Sequence, residues 1–241
     1  MRIALVGYGK MGKLVEQIAG TQNHEIVHIV DSGNKSSIND LNEYNAEVVI
    51  EFTNPDSAMH NFEAILSQGL PLVSGTTGWY DQIEQVKKMI DSQQGSFIYA
   101  SNFSVGVNVF KCMNAYLSKL MKDFPQFKAY MKEVHHTQKL DAPSGTAITL
   151  AEQIIKNSNY ESWGLASDDS DNSSSIQIEA DRIKDVFGDH HIYYESDIDL
   201  IEISHKAKSR KGFASGAILA AEWLMGKEGF YSINDMYQFD F

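Results

Sequence analysis

Between Glu133 and Ala147 the chain reads Glu-Val-His-His-Thr-Gln-Lys-Leu-Asp-Ala-Pro-Ser-Gly-Thr-Ala. His135 and His136 are followed closely by Lys139, and then by Pro143-Ser144-Gly145-Thr146, which reads as the start of a helix running to about Lys156. Imidazole is the side chain whose ordinary pKa suits proton transfer near neutrality. A helix start adds unpaired backbone amides and the positive end of a dipole, both of which attract a carboxylate. Cations and helix amides together make a site for an anionic ligand, with proton chemistry beside it. Adjacent histidines rarely ligate one ion, and neither an HExxH pattern nor a cysteine set is present, so no metal site is expected. His190, His191 and His205 each read as packing or surface histidines.

A second chemical pattern lies at the start of the chain. Ile3-Ala4-Leu5-Val6 leads into Gly7-Tyr8-Gly9-Lys10-Met11-Gly12, a GxGxxG between a predicted strand and a predicted helix. Glycines there permit a tight turn and let backbone approach a pyrophosphate, which rests on the helix amides. Asp31, at the end of the next predicted strand, stands near the roughly 20-residue offset expected of a ribose-binding acid. Its carboxylate suits a free 2′-hydroxyl, whereas Lys35 in the same loop could meet a 2′-phosphate or simply be solvated. The expected cofactor is NADH or NADPH. Gly75-Thr76-Thr77-Gly78 and Ser101-Asn102-Phe103-Ser104 follow two further predicted strands, where such folds place their ligand. Their amides and hydroxyls could hold a carboxamide, with Phe103 as a ring neighbour.

These patterns need elements to position them. Strand-like runs at Arg2 to Val6, Ile26 to Val30, Val48 to Phe52, Leu72 to Ser74 and Phe97 to Ala100 alternate with helical spacing such as Ile83, Val86 and Ile90. Pro55-Asp56-Ser57 reads as a helix entry. That rhythm is the signature of a parallel sheet built from βαβ units. After Asn102 comes a helix from about Val107 to Met121, then extended segments at Ala129 to Val134, Ser175 to Ala180, His191 to Glu195 and Leu200 to Ser204. They predict a mixed, roughly four-stranded sheet with one covered face. Ser167 to Ser173 reads as a surface loop, and Ala217 to Met225 as an apolar helix stopped by Gly226. The fold class is α/β: an N-terminal Rossmann domain followed by an α+β domain.

Composition narrows the function classes. Of 241 residues, 43% are hydrophobic and 22% charged, which is ordinary for a globular chain. A net charge of -12 is unfavourable for nucleic acid, because that affinity comes from cations neutralising phosphates. No apolar run approaches the roughly 18 residues of a membrane span. The single Cys112 precludes an internal disulfide and fits a reducing, cytoplasmic setting. A different Rossmann oxidoreductase would have no need of the Glu133 to Ala147 run, and a non-catalytic dinucleotide sensor would lack its proton-transfer groups.

Taken together, these segments resemble the dihydrodipicolinate reductase family. The resemblance rests on Val6 to Gly12, Glu51-Phe52-Thr53, Gly75 to Gly78, Asn102 to Asn108, Glu133 to Ala147, and His205 to Gly216, in the family's order along nearly the whole chain. It implies nicotinamide-dependent reduction of 4-hydroxy-tetrahydrodipicolinate, a dicarboxylate, in the lysine and diaminopimelate pathway. It also implies that His135 donates or accepts the proton, with Lys139 as a second donor. His136, Lys139, Ser144, Gly145 and Thr146 would hold the substrate. The cofactor would touch Gly7, Tyr8, Gly9, Lys10, Met11, Gly12, Asp31, Lys35, Gly75, Thr76, Thr77, Ala100, Ser101, Asn102 and Phe103. By the same resemblance, residues 1–105 and 215–241 form the dinucleotide domain, residues 106–214 the substrate and oligomerisation domain, and four copies a homotetramer. Two positions depart from the family: Glu51 stands where Asp is usual, and Ser32 where some relatives carry arginine. The basic residues Lys206, Lys208, Arg210 and Lys211 have no role assigned by these patterns.

Overall fold

The structure is a computed structural model that describes residues 1–168 and 174–237. Of the surface loop expected at 167–173, residues 169–173 lie outside the described residues, as do 238–241 of the last predicted segment. The chain divides into two compact units, one formed by Met1–Val105 with the segment that begins at Lys211, the other by Gly106–Arg210.

In chain order the elements begin with β1 (Arg2–Val6), α1 (Lys10–Thr21), β2 (Glu25–Val30), β3 (Val48–Glu51), α2 (Pro55–Leu66), β4 (Leu72–Ser74), α3 (Ile83–Gln93) and β5 (Ser96–Tyr99). Then come α4 (Val105–Met121), β6 (Lys128–His135), α5 (Gly145–Lys156), β7 (Ser162–Leu165), β8 (Ser175–Arg182), β9 (Asp189–Glu195) and β10 (Leu200–Lys206). The chain closes with α6 (Lys211–Leu224), β11 (Gly229–Ser232) and α7 (Ile233–Met236).

The first unit is a parallel sheet in the order β11-β5-β4-β3-β1-β2. Alternate residues of a strand face opposite sides. Ile3 and Leu5 therefore pack on one face with Val15, Ala217 and Ala221, while Ala4 and Val6 pack on the other with Phe62, Ile65 and Ile90. With both faces covered, Ile3 to Val6 of β1 and Val48 to Ile50 of β3 read as unbroken apolar runs. Register does the positioning: Val6 pairs with Val30 and Glu51, Glu51 with Ser74, and Ser74 with Tyr99. The loops that follow these residues, scattered over more than ninety positions of sequence, are thereby set side by side along one edge.

The second unit is a mixed sheet ordered β10-β9-β6-β8-β7. β10, β9 and β6 are antiparallel neighbours, while β6, β8 and β7 run parallel. It has five strands and not the four expected, because β7 adds an edge. Ser162-Trp163-Gly164-Leu165 is short and carries an internal glycine, so no alternation marks it. One face is covered as expected, with Met131, Ile178 and Ile192 against Leu150, Ala151 and Ile154 of α5. Asn54 caps α2 by accepting from the Ser57 amide at 3.2 Å, with Pro55 as its first residue. No helix among the described residues is long and apolar enough to cross a membrane.

Helix α6 begins at Lys211, earlier than Ala217, because Gly212 and Gly216 mask helical propensity in its first half. Gly216 is there for contact: a Cβ would fall 1.8 Å from the Phe103 carbonyl oxygen. Gly20 on α1 has nothing within 4 Å of the same position. Urea denaturation should therefore show Gly216→Ala destabilising by about 1–3 kcal/mol, while Gly20→Ala stabilises by roughly 0.5–1 kcal/mol through helix propensity.

Candidate active site

The three glycines of the N-terminal loop have three different physical causes. Gly7 has φ +95°, and a Cβ on it would lie 2.1 Å from the Phe52 carbonyl oxygen. A Cβ on Gly12 would lie 2.2 Å from the Gly7 carbonyl oxygen, so this glycine lets α1 pack onto the loop. Gly9 meets nothing within 4 Å. It is the N-cap of α1 and supplies no side-chain cap, which leaves first-turn amides facing open space. A phosphate fits that position chemically, since amides and dipole both favour an anion.

Around Gly9 lies a cleft of about 780 Å³ whose walls include Gly7, Tyr8, Asp31, Ser32, Lys35, Thr53, Asn54 and His60. Asp31 Oδ1 accepts the Gly33 amide at 2.7 Å, and the Asp31 amide donates to Asn34 Oδ1 at 2.7 Å, which sets the carboxylate's direction. Lys10 is exposed at the first turn of α1, and Met11 packs against the core beside it. Thr77 and Ser101 are exposed at the ends of their loops, and Asn102 accepts the Ser104 amide at 2.9 Å.

Other expected contacts point inward. Phe103, taken as a ring neighbour for a carboxamide, is only 2% exposed and packs edge-on to Phe52 at 6.3 Å. Its ring belongs to the core, as does the Ala100 side chain. Thr76 is buried too, its hydroxyl donating to Glu51 at 2.7 Å and accepting the Thr53 amide at 2.8 Å. Gly75 is glycine because a Cβ would strike the Phe52 ring at 1.9 Å. Glu51 itself, fully buried, accepts the Thr53 amide and hydroxyl and the Ser74 hydroxyl in addition. Burial pushes its carboxyl pKa up, against these four donors.

In the second unit the reactive run occupies the end of β6 and the start of α5. Ser144 caps α5, its hydroxyl accepting the Ala147 amide at 3.2 Å. Glu133, fully buried, receives the Ser144 amide on both oxygens at 3.1 Å and Arg182 Nη2 at 3.2 Å. His135 Nδ1 lies 3.6 Å from the same carboxylate and His190 Nε2 3.8 Å. His190 Nε2 also lies 3.3 Å from the Ser144 hydroxyl. Burial pushes the pKa of both imidazoles down, for His135 against the attraction of Glu133. Lys139 Nζ contacts both Asp141 oxygens at 2.8 Å, and Arg182 ties down the carbonyls of Lys139 and Asp141. Gly145 meets nothing within 4 Å of a Cβ position, so the helix start has room for a ligand. His136 is half-buried beside it in sequence.

Residues 1–103 match the family described as dihydrodipicolinate reductase, N-terminus, and residues 106–237 match its C-terminus. The chain belongs to the dihydrodipicolinate reductase family. It is 44% identical to the 4-hydroxy-tetrahydrodipicolinate reductase of Christiangramia forsetii, over 98% of this chain and 97% of that one. The protein of the same name from Archaeoglobus fulgidus is 33% identical over 99% of this chain and 100% of its own. The fold matches a dipicolinate-bound dihydrodipicolinate reductase from Paenisporosarcina sp. TG-14 with a TM-score of 0.77, at 21% identity, covering 98% and 99% of the two chains.

For a member of this family the reactive run reads clearly in sequence, yet its partners do not. Arg182 and His190 reach it through strand register, which pairs His135 with Arg182 and Glu133 with His190. His190 is thus a buried histidine packed beside His135, Glu133 and Ser144, whereas His191 is half-buried and paired with Glu202 at 2.7 Å. His205 is half-buried, its ring 6.0 Å from Phe110. Glu133, His135 and His190 bring potential ligand atoms within 4.8 Å of one another. The Arg182 guanidinium already on Glu133 makes this an ion-paired cluster and opposes a second cation.

The contrast among the loop glycines is testable. Gly9→Ala should keep wild-type stability and weaken dinucleotide binding about tenfold or more, because the added methyl occupies ligand space. Gly7→Ala should lose stability by about 1–3 kcal/mol before any ligand is added, from clash and a disfavoured φ. Thermal unfolding and calorimetric titration of both variants check this.

Proposed function

We propose that the chain reduces 4-hydroxy-2,3,4,5-tetrahydrodipicolinate to 2,3,4,5-tetrahydrodipicolinate with loss of water, serving lysine and diaminopimelate biosynthesis. The observation that carries this reading is the join of an imidazole to a carboxylate-receptive helix start at His135 and Ser144, within a chain 44% identical to a reductase of that name. A nicotinamide dinucleotide, held by the amides beyond Gly9 and by Asp31, would supply the hydride. Everything else is done by side chains and amides of this protein.

Gly145 and Thr146 offer amides to one substrate carboxylate, and Lys139 with His136 offers cations to the other. Lys139 is held by Asp141 until a ligand arrives, so binding exchanges one carboxylate partner for another. Once the 4-hydroxyl and a neighbouring ring proton have left as water to give a conjugated imine, C4 would take the hydride and His135 would deliver the proton to the adjacent ring carbon, directly or through a water it polarises. Its burial favours the neutral form, so the protonated ring is a ready donor. The reading carries a homotetramer, which sedimentation tests separately.

Nicotinamide oxidation with freshly generated substrate is the direct test, and no turnover would leave a dinucleotide sensor as the reading. His135→Gln should lower kcat by about 10² to 10⁴ with KM changed severalfold at most. Unchanged kcat where chemistry limits turnover would reject the proton role.

For the cofactor we propose NADH. Asp31 lines the cleft, and among the lining residues Asp31 and Asp56 outnumber the single lysine, Lys35. A 2′-phosphate would face like charge there. Asp31→Ser should move the ratio of kcat/KM for NADPH over NADH up by about tenfold. A wild-type preference for NADPH would overturn the assignment.

A further inference from the structure

The proposed function gives Glu133 no part in holding substrate or carrying the transferred proton, yet its position is constrained from several sides. It lies two residues before His135 on β6, so both side chains leave the same face of the sheet. Its carboxylate is fully buried and already accepts the Ser144 amide and Arg182. His135 Nδ1 is buried, has no hydrogen-bond partner, and looks at the Glu133 carboxylate from 3.6 Å. A nitrogen lone pair in that position would face negative charge, whereas an N–H would be attracted to it. That arrangement favours the Nδ1–H tautomer of the neutral ring, which leaves Nε2 as the atom to exchange a proton.

We propose that Glu133 is the positioning residue for proton transfer: it fixes His135 with Nδ1–H inward and Nε2 outward, and through the Ser144 amide it locks that ring to the helix start that receives a substrate carboxylate. One buried charge thus sets the distance between the proton donor and the anion site. This rests on the reading of His135 as the proton carrier. Besides Glu133, the charged groups facing His135 are Lys139 and Asp141 from the following loop, Arg182 from β8 and His190 from β9. Burial, Lys139 and Arg182 oppose protonation of His135, and Glu133 is the largest influence in its favour.

Glu133→Gln removes the charge while keeping an oxygen for the Ser144 amide. The expected result is kcat reduced about tenfold or more at pH 7, with KM within threefold of wild type. The limb of the kcat profile that falls as pH rises should move about one pH unit lower, because the protonated ring has lost its stabilising carboxylate. Histidine nitrogen–proton NMR gives a readout independent of turnover: wild-type His135 should be the Nδ1–H tautomer, and the variant a mixture. An unshifted pH limb, a loss confined to KM, or an Nε2–H tautomer in the wild type would each overturn the proposal. The NMR measurement on the wild-type protein decides even where the variant fails to fold. His135→Gln run in parallel separates the two ideas, since full kcat there rejects the proton role while the tautomer measurement still reports on Glu133.

Discussion

A carboxylate taken out of water costs several kcal/mol unless donors replace its hydration. Each unit of this protein buries one glutamate completely, Glu51 at the end of β3 and Glu133 near the end of β6. Neither can be satisfied by its own strand. Glu51 draws donors from Thr53 in the loop after β3 and from Ser74 and Thr76 at and just after the end of β4, and Glu133 draws them from Ser144 and Arg182. In both units the loops so recruited also wall a cleft or carry the reactive run. Demand for donors around a desolvated carboxylate is what ties these segments to the strand ends.

The two clusters differ in what the buried charge holds. Around Glu51 every donor is neutral, and the result is a rigid join between strand ends that carries no net positive charge. Around Glu133 a guanidinium and two imidazoles gather as well, so the same requirement produces a titratable centre. Glycines complement this arrangement wherever backbone must come closer than a side chain allows. Gly7, Gly12 and Gly75 press loops together, while Gly9 and Gly145 leave space at helix starts.

Much of this is legible in the order of residues alone. The GxGxxG with its flanking strand and helix, Asp31, and the run from Glu133 to Ala147 all carry local spacing that reports their elements. What escapes a reading of sequence depends on pairing between distant strands. Arg182 and His190 are ordinary residues in sequence, and only the register of β8 and β9 against β6 brings them to His135 and Glu133. The edge strands β7 and β11 span four residues each, too short for a period to show. The packing of Phe103 is hidden for a related reason: its place after a strand suggests a ligand neighbour, and only the fold shows its ring in the core and its carbonyl against Gly216.

Lys139 and Asp141 are two residues apart in one loop, and Arg182 fixes the carbonyls of both. Asp141 is thus a tethered competitor for the lysine, present at a high effective concentration that no dilute monoanion matches. Under the proposed function, an incoming carboxylate would gain little by displacing it unless the same molecule also reached the amides of Gly145 and Thr146. On the proposed function, selectivity for a two-headed anion would then arise from an internal rival that single-headed anions fail to displace, and the helix start would need no special affinity of its own.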